Sequence, residues 1–557
     1  MAILAALVAF AAPLSDPDLP EHLSVGAWIV RHGHLPTLEP FAWTRAGQPY
    51  YAYSWLTEVA YYEVLRLVGP VGLHLLQALV GAAAVLAAAA LARARRWGPG
   101  VAAALGALNF AAMGSVANEL RPQQLLFVLV PLAWALADAA VRAPGDAARS
   151  GSPGPDALSS WSGDALGDAA RAGLPGSDAL SAGPGEPPAT VGRARRTASL
   201  LLGHLAVGCL AANTHLFFPL TAAPIAIRGA GGSPRTARRL ILPAIFLVAG
   251  WLLSPYGHAW SDVFRLNLGP NVLLQRPPAI GELEPGFEAM MEVAGALVLV
   301  VLLLALPWWR PAASSSATGG APAPAAARAR IVEALVWAGG LVGFAFAFRL
   351  LAVWWLTLLP FAGERLSAAA AVLARRPWTR RAAVTAVAVL ALLTGMPPWP
   401  RELRLEGGVR AHTLPTPAAA AALPLAHWLA CHTDARAQGR IFTTFNYGSY
   451  LTWRLPGYSV SIDGRTIFPD SVAREFAWTL AGFRRTRART WQSADLALLP
   501  PWLADGDAIA ADPAWVRLTS NAAHGGAMLW ARRAWWARWR RPPATSSGGA
   551  PSVPGGC

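Results

Sequence analysis

The chain has 557 residues, of which 54% are hydrophobic and 14% charged, where a soluble domain carries about a quarter charged residues. That composition excludes an ordinary cytosolic enzyme. The formal net charge is +15 and every cation is an arginine; in so apolar a chain, the placement of those arginines decides between nucleic acid and membrane. The 52 glycines and 47 prolines are too many for unbroken helices, so loops are extensive. Cys209, Cys431 and Cys557 lie too far apart for a zinc ribbon or a dense disulfide framework.

Apolar runs of about 17–25 residues can cross a bilayer as helices, because lipid offers no partner for backbone groups left unpaired. Roughly eleven candidates fall near residues 2–14, 72–92, 99–115, 123–141, 198–213, 215–228, 240–256, 291–307, 331–348, 350–373 and 382–397. The first is short and lacks a basic flank, so it reads as a clipped first span or a cleaved signal. The pair 198–213 and 215–228 also reads as one long bent helix. If the spans alternate, the groups Arg93/Arg95/Arg96, Arg193/Arg195/Arg196, Arg235/Arg238/Arg239, Arg310/Arg328/Arg330 and Arg375/Arg376/Arg380/Arg381 share one side. Short arginine-rich connections stay in the cytoplasm, so residues 15–71, the turn at Asn118–Gln123, the segment 257–290 and the chain beyond about residue 398 are expected outside.

The expected organisation is an N-terminal membrane part, 1–142, carrying the first outer loop 15–71, and then a cytoplasmic linker, 143–196. The linker's repeated Ala/Gly/Ser/Pro/Asp phrases, GDALGDAA and GSDALSAG, hold no apolar period and read as disordered. A second membrane part, 197–398, contains another low-complexity stretch at 311–327. The outer domain, 399–541, alternates an apolar helix at Ala418–Ala430 with β-like runs at Arg440–Thr443, Ser459–Ile462, Ala494–Leu499 and Trp515–Thr519. It ends in a hairpin turning near His524–Gly526, ahead of a disordered tail, 542–557. The fold class is therefore mainly α, a polytopic membrane helix bundle with a small extracytoplasmic α/β domain.

Chemistry concentrates in the first outer loop. Asp16 and Asp18 flank Pro17, and Glu21 and His22 follow at the start of a helix predicted to about Arg31. Proline holds the acids off the helix, so both carboxyls can project into a cleft from its N-terminal end. Such carboxylates can take a proton from an acceptor hydroxyl, or bind a divalent metal that carries a phosphate leaving group. They suit a helix cap equally well, with Asp18 as N-cap and Glu21 in the capping-box position. Asp463-Gly464-Arg465 follows a predicted strand, where α/β units often hold ligands; a structural Asp–Arg pair fixing the loop is the plainer reading. The run from Arg532 to Arg541, with Trp535, Trp536 and Trp539, suits anionic headgroups; an outward-facing segment does not meet nucleic acid.

The loop contains Asp16-Pro17-Asp18-Leu19, His22, Gly26-Ala27-Trp28-Ile29, Gly33-His34-Leu35-Pro36, Glu39-Pro40-Phe41-Ala42-Trp43-Thr44, Gly47-Gln48-Pro49 and Trp55-Leu56-Thr57-Glu58. Further phrases are Arg121-Pro122-Gln123, Asn213-Thr214-His215, Ser254-Pro255-Tyr256-Gly257, the Glu282 region, and Phe445-Asn446-Tyr447-Gly448 through Ile462-Asp463-Gly464-Arg465. This pattern resembles bacterial membrane proteins of the GT-C glycosyltransferase superfamily. The resemblance implies a polyprenyl-phosphate sugar as donor, transfer on the outer face of the bacterial inner membrane, and a first-loop acid acting as base or metal ligand. Carried onto this chain it makes Asp16 and Asp18 catalytic. Pro20 and Glu21 stand where aromatic residues are frequent, and Glu39 and Ala42 where Asp and Ser are more usual.

The remaining expected site residues are His22, Arg121, His215, Glu282 and Arg349 for substrate, with Asp18 and Glu282 as ligands if a magnesium or manganese ion takes part. Arg121 and Arg349 suit the donor phosphate, although Arg121 can instead pair with Glu119 and Arg349 can snorkel. His215 sits among apolar residues, where it needs a cavity or a partner. Arg276, Glu282 and Glu284 can simply bridge one another. The acceptor is open. The alternative function is a non-catalytic or transport-type membrane protein sharing this scaffold; the chain lacks the repeated halves common in transporters, and the absence of lysine and of a phosphate-cradling loop speaks against an ATP-driven pump.

Overall fold

The computed structural model describes residues 1–11, 14, 18–116, 120–142, 189–268, 328, 331–339, 349–373, 417–465, 467–468, 472, 490–500, 505–521 and 526–541. The protein is mainly helical, with one five-stranded sheet near its C-terminus. Helices α1 (Ala2–Ala11), α2 (Leu19–His32) and α3 (Trp55–Val68) lead into α4 (Pro70–Ala94). Gly33 closes α2 in the left-handed region at φ 72°, donating its N–H to Ile29 O, a conformation that suits glycine. Pro70 opens α4, where a missing N–H costs nothing. There follow α5 (Pro99–Val116), α6 (Leu126–Val141), α7 (Ala189–Ala212), α8 (Ala223–Gly231), α9 (Pro234–Leu252), α10 (Trp260–Leu268) and α11 (Arg349–Leu373).

Small residues let these helices approach closely. A Cβ on Gly208 would stand 2.2 Å from Leu247 O and one on Gly250 2.3 Å from Leu205 O, so α7 and α9 cross backbone to backbone. Gly81 of α4 seats Phe110 of α5 and Ala9 of α1. The main apolar core runs through Ala84, Leu91, Leu105, Phe127, Trp134 and Leu356. Helices α4 and α6 begin at one end of the bundle and finish at the other. At the finishing end, buried Asp138 of α6 binds both Arg95, just past α4, and Arg228 of α8, while Arg95 Nη1 reaches Glu364 of α11 at 2.6 Å. At the opposite end, Asn213 beyond α7 accepts Trp55 Nε1 on its Oδ1 at 2.7 Å, and the Tyr256 hydroxyl beyond α9 accepts Ala52 N–H at 3.0 Å.

Among the described residues, two helical stretches, Pro70–Ala94 and Pro122–Val141, are long and apolar enough to cross a membrane, against the roughly eleven expected. The differences have physical reasons. The run 215–228 does not form a span: Pro219 and Pro224 divide it into a 3-10 turn, Phe218–Ala222, and the nine-residue α8. Helices α7 and α9 carry three arginines each within their first eight residues, and α11 contains Glu364 and Arg365. Helix α1 and the apolar stretch Pro99–Met113 are shorter than a span. The runs 291–307 and 382–397 lie outside the described residues, and of 331–348 only 331–339 is described, as helix. The linker boundary also moves, because α7 begins at Ala189, inside the segment assigned to linker; residues 143–188, 311–327 and 542–557 lie outside the described residues.

The C-terminal unit comprises α12 (Pro417–His432), β1 (Gly439–Thr443), α13 (Phe445–Arg454), β2 (Tyr458–Val460), β3 (Leu496–Leu499), α14 (Asp505–Ala511), β4 (Trp515–Asn521), β5 (Ala527–Arg532) and α15 (Arg533–Trp539). The sheet order is β2-β1-β3-β5-β4, with β1 parallel to β2 and β3, and β5 antiparallel to β3 and β4. Alternation along the strands builds two cores. Ile441, Leu496, Leu498 and Leu529 meet α12 and α13, while Phe442, Ala497, Leu499 and Trp530 meet Trp491, Trp515 and Ile509. The predicted hairpin is the β4–β5 pair, with Gly526 at φ 72° donating to Asn521 O. Cys431, at the end of α12, is disulfide-bonded and Cys209 is free; wide spacing excluded a dense framework, not a single bond.

Candidate functional site

The first loop, the turn before α6, the turn after α7 and the tip of the sheet unit meet at one end of the bundle. Asp18 occupies the N-cap position of α2 but makes no side-chain capping bond. Its Oδ2 instead lies 3.2 Å from Arg121 Nη1, so the capping reading fails and the two expected site residues form an ion pair across 103 positions of sequence. Arg121 is extended (φ −114°, ψ 146°), as the residue before a proline prefers, and this aims it at the loop. One helical turn after Asp18, His22 lies on the same face, with Nδ1 3.0 Å from Glu58 Oε1 of α3. Glu58 comes this close because Gly26 lets α2 rest on the α3 backbone: a Cβ there would stand 2.1 Å from Glu58 O.

His215 lies in the turn after α7, against the edge of Tyr53, with ring centroids 6.3 Å apart. Its Nδ1 accepts the Phe217 N–H at 3.1 Å. Burial, helped by the charges of His22 and Arg121, lowers its pKa to about 3, so it stands as a neutral imidazole whose Nε2 carries the proton. Arg121 therefore pairs with Asp18, His22 follows it by one turn, and His215 lies close enough to His22 and Arg121 to feel their charges. Asp16 and Glu282 lie outside the described residues, and Arg349 opens α11, with nothing further described of its side chain. Among the described residues no group of three or more His, Cys, Asp or Glu side chains is arranged to hold a metal, so no step below is routed through one.

In the second half of the site the Asp463–Arg465 pair read from the sequence forms, and Glu39, which the sequence did not connect to it, joins it. Arg465, at the tip after β2, is buried between two carboxylates. Its Nε and Nη2 meet Asp463 Oδ1 and Oδ2 at 2.8 and 2.5 Å, and its Nη1 and Nη2 meet Glu39 Oε2 and Oε1 at 2.9 and 2.8 Å. Phe41, Tyr50 and Phe468 surround the guanidinium at 5.4, 5.2 and 5.9 Å. Burial by itself lowers the Arg465 pKa, but Asp463 and Glu39 hold it above its ordinary value. Glu39 also accepts the N–H groups of Phe41 and Ala42, so this departure from the resembled pattern has a local task. Arg45 supports the cluster, donating to the carbonyls of Ile467 and Pro49.

Glu21 lies between the two halves. It is 7% exposed, its Oε1 is 3.8 Å from Arg465 Nε, and among the described residues its Oε2 has no hydrogen-bond partner. Burial, reinforced by Asp463 and by Asp18 and Glu58, pushes its carboxyl well above the ordinary range, against the pull of Arg465. Glu58 likewise keeps a buried Oε2 without a partner. Glu58 stood in a quoted motif and Glu21 was read as a capping-box acid; their burial beside other charges comes from contacts between separate segments. The site thus offers several carboxyl groups, one of them held well above its ordinary pKa, beside the guanidinium groups of Arg121 and Arg465 and two imidazoles, a set that can accept a hydrogen bond from a hydroxyl and move a proton. No protein-family model and no curated protein matches this chain.

Proposed function

We propose that the protein is a membrane glycosyltransferase of GT-C type, moving a sugar from a polyprenyl-phosphate carrier to an acceptor at the outer face of the membrane. The observation that carries this reading is the meeting of Asp18, Glu21, His22, Glu58 and Arg121 at the end of the bundle opposite the Arg95–Asp138–Arg228 cluster. Arginine-rich helix ends belong in the cytoplasm, which puts the carboxylates outside.

In this reading Asp16 and Asp18 orient the acceptor hydroxyl and draw on its proton. Arg121 pairs with Asp18 and fixes where its carboxyl stands, and Arg349 meets the departing phosphate. A phosphate leaves readily once its charge is met, so positioning and electrostatics supply most of the acceleration. His215, being neutral, contributes a hydrogen-bond donor rather than a cation.

The test is reconstitution in liposomes with a panel of polyprenyl-phosphate sugars, comparing the wild type with Asp16→Asn and Asp18→Asn. The expected result is transfer by the wild type and a loss of about a hundredfold or more in at least one variant. Transfer at the wild-type rate by both variants refutes the assignment of these acids.

A further inference from the structure

The C-terminal unit touches the first loop at one point with unusual closeness. Gly464, between Asp463 and Arg465, faces three side-chain oxygens, two from the start of α2 and one from α13. A Cβ at this position would stand 2.7 Å from Asp18 Oδ1, 2.9 Å from Ser449 Oγ and 3.1 Å from Glu21 Oε2. Its own N–H donates to Ser449 Oγ at 3.0 Å. The tip is not free to retreat. The Asp463–Arg465–Glu39 cluster anchors it on one side, and on the other Gly448 of α13 lies so close that a Cβ there would meet Ile462 O at 1.9 Å. The loop itself is stitched to the sheet edge: Val460 N donates to Phe41 O at 2.9 Å and Thr44 Oγ1 to Ser461 O at 2.6 Å.

We infer that Gly464 is a positioning residue for Asp18 and Glu21, and that the C-terminal unit is the fixed wall against which the site's carboxyls are set. A bare Cα lets Asp18 stand where it reaches Arg121, and lets Glu21 keep Oε2 beside it. Any side chain at 464 would displace one or both. The three oxygens are ends of flexible side chains, so the displacement is accommodated by rotation of Asp18 and Glu21 and not by unfolding. Gly464 is not among the glycines in the left-handed region, so alanine adds no backbone strain there. The reaction invoked is the glycosyl transfer proposed above, but the positioning itself can be read without it.

The experiment compares wild type, Gly464→Ala and the more distant control Gly457→Ala, whose nearest contact for a new Cβ is Ala437 O at 3.2 Å. The first readout is carbodiimide labelling of Asp18 and Glu21, located by mass spectrometry of the detergent-solubilised full chain. Gly464→Ala is expected to raise labelling of Asp18 or Glu21 by threefold or more, on the order of a 1 kcal/mol loosening, with an unchanged melting temperature; Gly457→Ala leaves labelling as in wild type. The second readout is transfer in liposomes, where kcat falls by about tenfold, as for a reacting group moved off its geometry, and donor KM stays within about twofold. Unchanged labelling in Gly464→Ala overturns the inference, and so does equal labelling in the control. If the wild type transfers no sugar at all while labelling responds as expected, the functional reading falls and the positioning stands.

Discussion

Replacing Arg465 by alanine is the sharpest test of the energetics at this junction. Asp463 is completely buried, and both of its oxygens are held by the Arg465 guanidinium. Glu39 retains the Phe41 and Ala42 N–H groups and Arg45 at 3.9 Å, so the penalty falls mainly on Asp463. Stranding one buried charge costs about 3–5 kcal/mol. Amide hydrogen exchange of β1 and β2 in the detergent-solubilised protein should speed up by between about a hundredfold and a few thousandfold, since these strands border the tip and their opening free energy would drop by that amount. The triple variant Arg465→Met, Glu39→Gln, Asp463→Asn removes the stranded charges and should recover most of the protection. Exchange that accelerates less than about fivefold in Arg465→Ala, or a triple variant as unprotected as the single one, refutes the electrostatic account.

Further outcomes follow from other parts of the structure. Because the Glu21 carboxyl is raised in the folded protein, folding favours its protonated form. That stability is fully present below the unfolded glutamate range and is lost as pH rises through the raised folded value. Thermal midpoints measured against pH should therefore decline toward high pH in wild type relative to Glu21→Gln, and parallel curves would contradict this. Gly250→Leu should separate α7 from α9 and cost about 2–4 kcal/mol, an overpacking effect at a backbone crossing that detergent melting would register; an unchanged midpoint excludes the close crossing. Asp138→Asn leaves Arg95 and Arg228 without their shared carboxylate and should lower the same midpoint modestly, by about 1–3 kcal/mol equivalent, with no effect on Asp18 labelling.

Local signals in the sequence carried much of the fold. The run read at 72–92 is α4, and the strands read at Arg440–Thr443 and Trp515–Thr519 are β1 and β4 within two residues. These are the cases in which a single period, all-apolar or alternating, extends over a whole element. The run 215–228 failed for a reason already visible, two prolines in an apolar stretch, which outweigh mean hydropathy. At the site, the Asp-Pro-Asp phrase led to Asp18, and Arg121 is its ion-pair partner. Glu21 and Arg465 were singled out for other tasks, a capping box and an Asp–Arg pair, and the Glu39–Arg465 contact stayed hidden because it joins segments more than four hundred residues apart. A buried carboxyl without a partner has no sequence signature, since burial is a property of the assembled chain.

The pairing of Ala42 with Val460 beside β2 has a practical corollary. It caps a strand border that would otherwise display unmatched amides and carbonyls, and such borders recruit other chains. Cut away from the helical part and produced by itself, the C-terminal unit would bare that border together with Ile462 and Phe468, which now rest on Ala42. Self-association in such a fragment would be a product of the excision and would carry no information about oligomers of the intact protein.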